Sequence, residues 1–226
     1  RIPGAFFSFF TWSVPSNAFK PVRENSKSFS ENPLLNMLKE QKDMNLRGGI
    51  YHKTQIELTY NSNHIEGSRL SHDQTRFIFE TNTIGVDKDV LNVDDVVETA
   101  NHFKCVDYVI DNAMKPITET MIKRLHLILK NGTSDSRKEW FKVGEYKKLP
   151  NEVGGEETCP PDRVKDEIQN LLATYGAKNS KSFEEILKFH VNFESIHPFQ
   201  DGNGRVGRLL MFKECLANSI VPFIID

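Results

Sequence analysis

His197-Pro198-Phe199-Gln200-Asp201-Gly202-Asn203-Gly204-Arg205-Val206-Gly207-Arg208 is the stretch on which the reading of this chain turns. Pro198 halts any helix that reaches His197, because proline disfavours helical geometry in the residue before it. The next six residues hold two glycines, an aspartate and an asparagine, which suits a tight turn. A new apolar run follows at once, residues 205–217 (RVGRLLMFKECLA). The spacing therefore predicts helix, tight loop, helix. Such a loop aims several backbone N–H groups at one spot, and the start of the second helix adds its own donors and partial positive charge. That combination suits an anion, above all a phosphate.

The side chains fit the same chemistry. Arg205 and Arg208 are three residues apart and so share a helix face. Alone they would read as a solvated basic face, and Gly202-Asn203-Gly204 alone as a turn. Together they form two guanidinium forks on the rim of an amide nest, as a polyphosphate needs. Asp201 would repel phosphates unless it holds Mg²⁺ against them. His197, with an ordinary pKa of about 6.5, suits a general base near neutral pH.

Outward from this point the chain reads as helices. Val93, Val96, Val97, Ala100, Phe103, Val106, Val109 and Ile110 form one apolar stripe at three- and four-residue steps. Met121 to Ile128 form another behind Thr118. Val164 to Tyr175 form a third, entered through Pro160 and Pro161 and closed by Gly176. Ser182 with Glu185 makes a capping box ahead of Phe183 to Ile196, and Ser71 with Gln74 a weaker one ahead of Phe77 and Phe79. Residues 143–158 (VGEYKKLPNEVGGEET) break the pattern and predict a short hairpin or exposed loop. The fold class expected is all-α, one helical domain with a short β-hairpin. Its parts are an uncertain segment 1–30, an N-terminal helical region 31–85, and a core 86–226. The aromatic run 5–14 (AFFSFFTWSV) weakly resembles a signal-peptide core.

Composition excludes several classes. Across 226 residues, 29 Lys and Arg oppose 31 Asp and Glu, a net charge of -2. Binding that depends on a broad basic surface, as non-specific nucleic-acid binding does, is disfavoured. No run approaches the ~20 apolar residues of a membrane span. Cys105, Cys159 and Cys215 are odd in number and widely spaced, so a zinc framework or disulfide scaffold is not expected. Thiols used this way point to a reducing compartment, read as cytoplasmic. His190, Glu194 and His197 superficially share a helix face, but there is no HExxH pattern to support zinc.

The stretch 197–208 resembles the signature of the Fic family, H-P-F-x-[D/E]-G-N-G-R-x-x-R, at every defined position. Helices across roughly residues 90–218 fit that family's core. The resemblance implies a protein adenylyltransferase that moves AMP from ATP to a Ser, Thr or Tyr hydroxyl. His197 would take the hydroxyl proton, Asp201 would hold Mg²⁺, and Gly202, Asn203 and Gly204 would cradle the phosphates. Arg205 would neutralise charge and Arg208 would pair with the γ-phosphate. Ser62-Asn63-His64-Ile65-Glu66-Gly67 resembles the family's inhibitory motif, S-x-x-x-E-G. If residues 53–66 are helical, Ser62 and Glu66 share a face and Gly67 caps the end. Glu66 would then occupy the γ-phosphate's place on Arg208. Residues 143–158 resemble the family's target-aligning flap, pinned by Val143, Tyr146, Leu149 and Val153. Expected partners are ATP, a protein target and the chain itself through self-modification, with no membrane and no nucleic acid; oligomeric state stays open. Two alternatives remain: related chemistry on the same scaffold, including another nucleotide or removal of AMP, and an ATP-binding module without turnover.

Overall fold

Residues 32–85 and 90–224 are described by the structure, a computed structural model; the uncertain segment 1–30, with its aromatic run, lies outside the described residues. Eight α-helices run in order among the described residues: α1 (Pro33–Asp43), α2 (Ile50–Ile65), α3 (His72–Thr81), α4 (Val93–Asn112), α5 (Glu119–Lys130), α6 (Val164–Gly176), α7 (Phe183–Ile196) and α8 (Asn203–Ala217). One small hairpin, β1 (Glu152–Val153) and β2 (Glu156–Glu157), stands between α5 and α6. Its strands are antiparallel, with Glu152 opposite Glu157. Gly154 and Gly155 turn it with φ of 62° and 84°. Positive φ at both central residues is what a tight hairpin turn requires and what glycine supplies without strain.

Local signals explain where the helices begin. The Ser71 and Ser182 side chains cap α3 and α7, and Gln74 and Glu185 complete both boxes. Thr118 accepts from the Met121 N–H at 3.1 Å and opens α5. Asn32 does the same for α1 through Leu35 at 3.0 Å, with Pro33 in the first helical position. That Asn-Pro start is a legible cap. Gly202 leads into α8 two residues before the expected start at Arg205, so Asn203 and Gly204 belong to the helix itself.

Most of the helices share one large core, with two smaller clusters beside it, Leu70, Ile78 and Phe103 in one and Ile186, Met211 and Cys215 in the other. Leu35 and Leu38 of α1, Tyr51 and Leu58 of α2, and Val106 and Ile110 of α4 pack in a single cluster with Leu125, Phe189, Phe193, Phe199, Val206 and Leu210. The helical region before residue 86 therefore has no separate core. α8 runs through the middle, with thirteen of its fifteen residues buried. Charged side chains on such a helix need partners, since an unpaired buried charge is very costly. Each has one: Arg205 meets Glu98 of α4, Arg208 meets Glu66 after α2, and Lys213 meets Glu214.

One buried side chain beneath α8 makes the fold acid-sensitive. His102 of α4 is fully buried, with its Nδ1 2.9 Å from the Thr59 hydroxyl. Burial, and then the charges of Arg205 and Arg208, lower its pKa to about 3. An unfolded histidine titrates near 6.5. Below that pH the unfolded chain takes a proton that the folded chain refuses. The stability held above pH ~6.5 is therefore lost as pH falls towards about 3, by at most about 1.4 kcal/mol per pH unit for this group. Replacing His102 by Gln, which keeps a partner for Thr59, is expected to flatten this acid limb by about one proton. Urea unfolding between pH 4.5 and 7 measures the slope; an unchanged slope would contradict the assignment.

Candidate active site

The loop after α7 is held by its own asparagine. Asn203 accepts from the Phe199 N–H at 2.7 Å and donates to the Phe199 carbonyl at 2.8 Å. Its side chain is thus spent inside the loop, and only its backbone N–H faces outward chemistry. Phe199 stacks on His126 of α5, with centroids 3.9 Å apart and planes 2° from parallel. His126 Nδ1 accepts from the Gly144 N–H at 2.8 Å, so the hydrogen sits on Nε2, which donates to the Asp201 carbonyl at 3.2 Å. Burial, then Lys130, lowers the pKa of His126 to about 3 and keeps it neutral for this role. The sequence singled out no such role for His126.

His197 caps the C-terminus of α7 in left-handed geometry, φ 51°, and its N–H donates to the Phe193 carbonyl. Its Nδ1 lies 3.3 Å from the Glu194 carbonyl oxygen. A carbonyl can only accept, so Nδ1 carries the hydrogen and Nε2 keeps a lone pair. Burial lowers the pKa of His197 below the ordinary histidine value. The ring is neutral at pH 7 and able to take a proton.

Beside it lies the start of α8. Gly202 takes φ 80°, and the Val206 N–H closes the first turn on the Gly202 carbonyl at 3.1 Å. The N–H groups of Asn203, Gly204 and Arg205 come before that bond and have no acceptor within the helix. Such a helix start suits an anion. Arg205 is buried behind it, paired with Glu98 and 3.3 Å from Asp201. Burial alone would raise the pKa of Asp201. Lys130 and Arg205 outweigh it and hold the carboxyl at about 2, fully ionised. About half of this side chain is exposed. A magnesium ion bound through phosphates needs only one or two protein carboxylates and keeps several waters. An ionised, accessible carboxylate at the edge of an amide nest fits that demand.

Arg208 points the other way, into α2. Its Nε donates to Ser62 Oγ at 2.9 Å, and its Nη2 donates to the Ser62 carbonyl at 2.9 Å and to Glu66 Oε1 at 2.5 Å. α2 ends at Ile65, Glu66 is its capping residue, and Gly67 follows with φ 90°. A Cβ added to Gly204 would collide with Glu66 Oε1. The Glu66 carboxylate therefore lies over the first turn of α8, against the nest. His190 and Glu194 flank Gly207 just as closely, and a side chain there would strike both. Burial pushes the Glu194 carboxyl up to about 7 even though Arg208 opposes it.

The flap is anchored differently from expectation. Tyr146 does pack near Phe199, at 5.9 Å between centroids. Leu149 and Val153, two of the expected apolar pins, are exposed. The anchors are polar. The Lys147 N–H donates to the Pro198 carbonyl at 2.9 Å, and Asn151 donates to the Phe199 carbonyl at 3.1 Å. Lys147 Nζ donates to Asn151 Oδ1 and Thr158 Oγ1, both at 2.6 Å. Backbone carbonyls of the 196–200 loop need donors once buried, and a flap with few apolar residues supplies them.

Residues 116–215 match the model of the Fic/DOC family. The chain is 27% identical over 174 residues to "Protein adenylyltransferase Fic" of Drosophila virilis, covering 74% of this chain and 34% of the relative. It is 36% identical over 81 residues to a probable protein adenylyltransferase of Aquifex aeolicus, covering 34% of this chain and 25% of that protein. The chain thus spans about a third of the length of the curated relatives it matches along most of its sequence. A Fic domain containing signaling protein of Bacteroides thetaiotaomicron shares the fold with a TM-score of 0.66 at 26% identity, covering 85% of this chain and 75% of that one. Fic-1 of C. elegans shares the fold at 18% identity, with a TM-score of 0.64 and coverage of 84% and 58%.

Proposed function

We propose that this chain, which matches the Fic/DOC family model over residues 116–215, moves AMP from ATP to a Ser, Thr or Tyr hydroxyl of a protein, and that Glu66 holds it at rest. The observation that carries the reading is the short loop between α7 and α8, which sets neutral His197 and ionised Asp201 beside the N-terminus of α8, with Glu66 lying over that terminus.

The steps follow from the geometry. The phosphates of ATP settle on the N–H groups of Asn203, Gly204 and Arg205, where the helix terminus compensates their charge. Asp201 would hold Mg²⁺ there, and the ion would offset charge on the α- and β-phosphate oxygens. Arg208, once free of Glu66, takes the γ-phosphate with its guanidinium fork. The target hydroxyl gives its proton to Nε2 of His197 as its oxygen bonds to the α-phosphorus. The bond from that phosphorus to the bridging oxygen breaks, and pyrophosphate leaves. What the protein contributes is alignment, a base and fixed positive charge. The flap beside the loop offers a short strand edge for an extended target segment. Its polar anchors tie the base of the flap to the carbonyls of Pro198 and Phe199, next in sequence to His197. The helical region 31–85 acts in this reading as the carrier of the brake and residues 86–226 as the catalytic part.

Intact-mass analysis tests the reaction. The Glu66→Gly chain is incubated with ATP and Mg²⁺, using label on either the α- or the γ-phosphate. The expected result is a mass gain of one AMP, with α-label retained and γ-label lost. Retained γ-label would mean phosphate transfer. No gain in mass, with ATP bound, would favour a nucleotide-binding module without turnover.

A further inference from the structure

Lys130 is the last residue of α5, and its side chain is 2% exposed. Its ammonium lies between three carboxylates. It is 2.6 Å from Asp201 Oδ2 and 2.9 Å from Asp135 Oδ2, and it also pairs with Glu98 of α4. Oxygens of those three carboxylates lie within 4.8 Å of one another, close enough to surround a single cation. The cluster is electrically satisfied as it stands. Arg205 takes the second oxygen of Glu98, and Lys138 takes Asp135 at 2.6 Å. Three cations thus face three carboxylates.

We propose that Lys130 is a positioning residue for Asp201: its ammonium stands in for a metal ion within the Glu98–Asp135–Asp201 cluster, so that Asp201 accepts a divalent ion only together with nucleotide phosphates. The proposal rests on the reading of Asp201 as the metal-holding residue given above. The physical reasoning is direct. A divalent ion arriving alone would add two positive charges to a cluster that is already balanced. It would also have to compete for an Asp201 oxygen held by a fixed ammonium. An ion arriving with ATP brings its own compensating charge, and needs from Asp201 only the side that faces solvent. Asp201 is the one member of the trio with such a side, at 46% exposed against 13% for Glu98 and 22% for Asp135. Lys130 also fixes where that side points, because it ties the Asp201 carboxylate to the ends of α4 and α5. His126, one turn earlier on α5, holds the Asp201 backbone at the same time. The carboxylate and its carbonyl are thereby fixed from one helix.

The test is Mn²⁺ titrated into the full chain, with free ion read by electron paramagnetic resonance, without ATP and with ATP, the latter measured against the same ATP without protein because ATP itself holds Mn²⁺. Wild type is expected to bind Mn²⁺ strongly only when ATP is present. Lys130→Met opens the three-carboxylate cluster. It is expected to bind Mn²⁺ without ATP at least about tenfold more tightly than wild type, since affinity rises with the number of charged oxygen ligands. Lys130→Arg keeps the charge and is expected to retain the dependence on ATP. Should Lys130→Met be too unstable to purify in apo form, recovery of its cooperative thermal unfolding on adding Mn²⁺ supports the proposal, and failure to recover overturns it. Equal Mn²⁺ binding by wild type and Lys130→Met in the absence of ATP also overturns it. If the Glu66→Gly chain, with Arg208 free, binds no Mn²⁺ beyond what ATP alone holds, the assignment of Asp201 itself fails, and the role of Lys130 falls with it.

Discussion

Replacing Glu66 by Gly is expected to raise self-modification by labelled ATP on the order of 10- to 100-fold over wild type. The size follows from what Glu66 does to Arg208. Its carboxylate accepts from Nη2 at 2.5 Å and lies over the first turn of α8. A charge-assisted bond of this kind is worth about 1.5–3 kcal/mol. It must be given up before a γ-phosphate can take the same fork. Each ~1.4 kcal/mol is a factor of ten. Ser62 keeps its two contacts to Arg208 in the variant, so the arginine stays aligned while its free edge opens. Glycine removes the carboxylate and leaves room over Gly204. Gln at position 66 keeps the shape and loses the charge, and is expected to fall between the two. Equal labelling of wild type and Glu66→Gly in a time course would remove Glu66 from any regulatory role.

Replacing His197 by Ala in the Glu66→Gly background is expected to cut transfer by about 10²–10⁴-fold, the range a positioned general base supplies. ATP affinity is expected to stay within a few-fold, because the nest and Arg208 are untouched. Equilibrium binding of ATP alongside the rate separates the two effects. His197 also occupies left-handed backbone, φ 51°, where asparagine is among the better-tolerated residues. His197→Asn is therefore a second variant that removes the base with less backbone strain. A rate unchanged by either substitution would mean that another group takes the proton.

Much of the fold was legible because its signals are local. The two capping boxes, the Thr118 start, the apolar stripe of α4 and the Gly-Gly turn all act within a few residues of themselves. The all-α class with one short hairpin followed from those. Of the charged residues of α8, only Arg208 had its partner Glu66 expected, and that through the family resemblance; the partners of the others were not legible, because they depend on what folds against α8. Arg205 and Arg208 share a face by spacing, yet one meets Glu98 from α4 and the other meets the end of α2. Lys130 and His126 carried no motif at all. Their places beside Asp201 arise only when α5 packs under the loop. The flap shows the same limit in reverse. Apolar residues were the natural pins to expect from sequence, but its neighbours are buried backbone carbonyls, so lysine and asparagine serve.

The position of Glu66 sets the scale of motion that would free the site. It is the capping residue, one place beyond the last helical residue of α2, and Gly67 behind it has open space around it. Ser62 and Leu58, a turn or two earlier, are buried. Fraying of a single helix end is thus enough to withdraw the carboxylate, with the packed part of α2 left in place. Such openings cost far less than global unfolding. Amide hydrogen exchange at residues 64–68 would therefore run ahead of that at 55–60 by a wide margin. Anything that grips this last turn, or a covalent tether across it, would set the resting rate of the proposed transfer without touching the core.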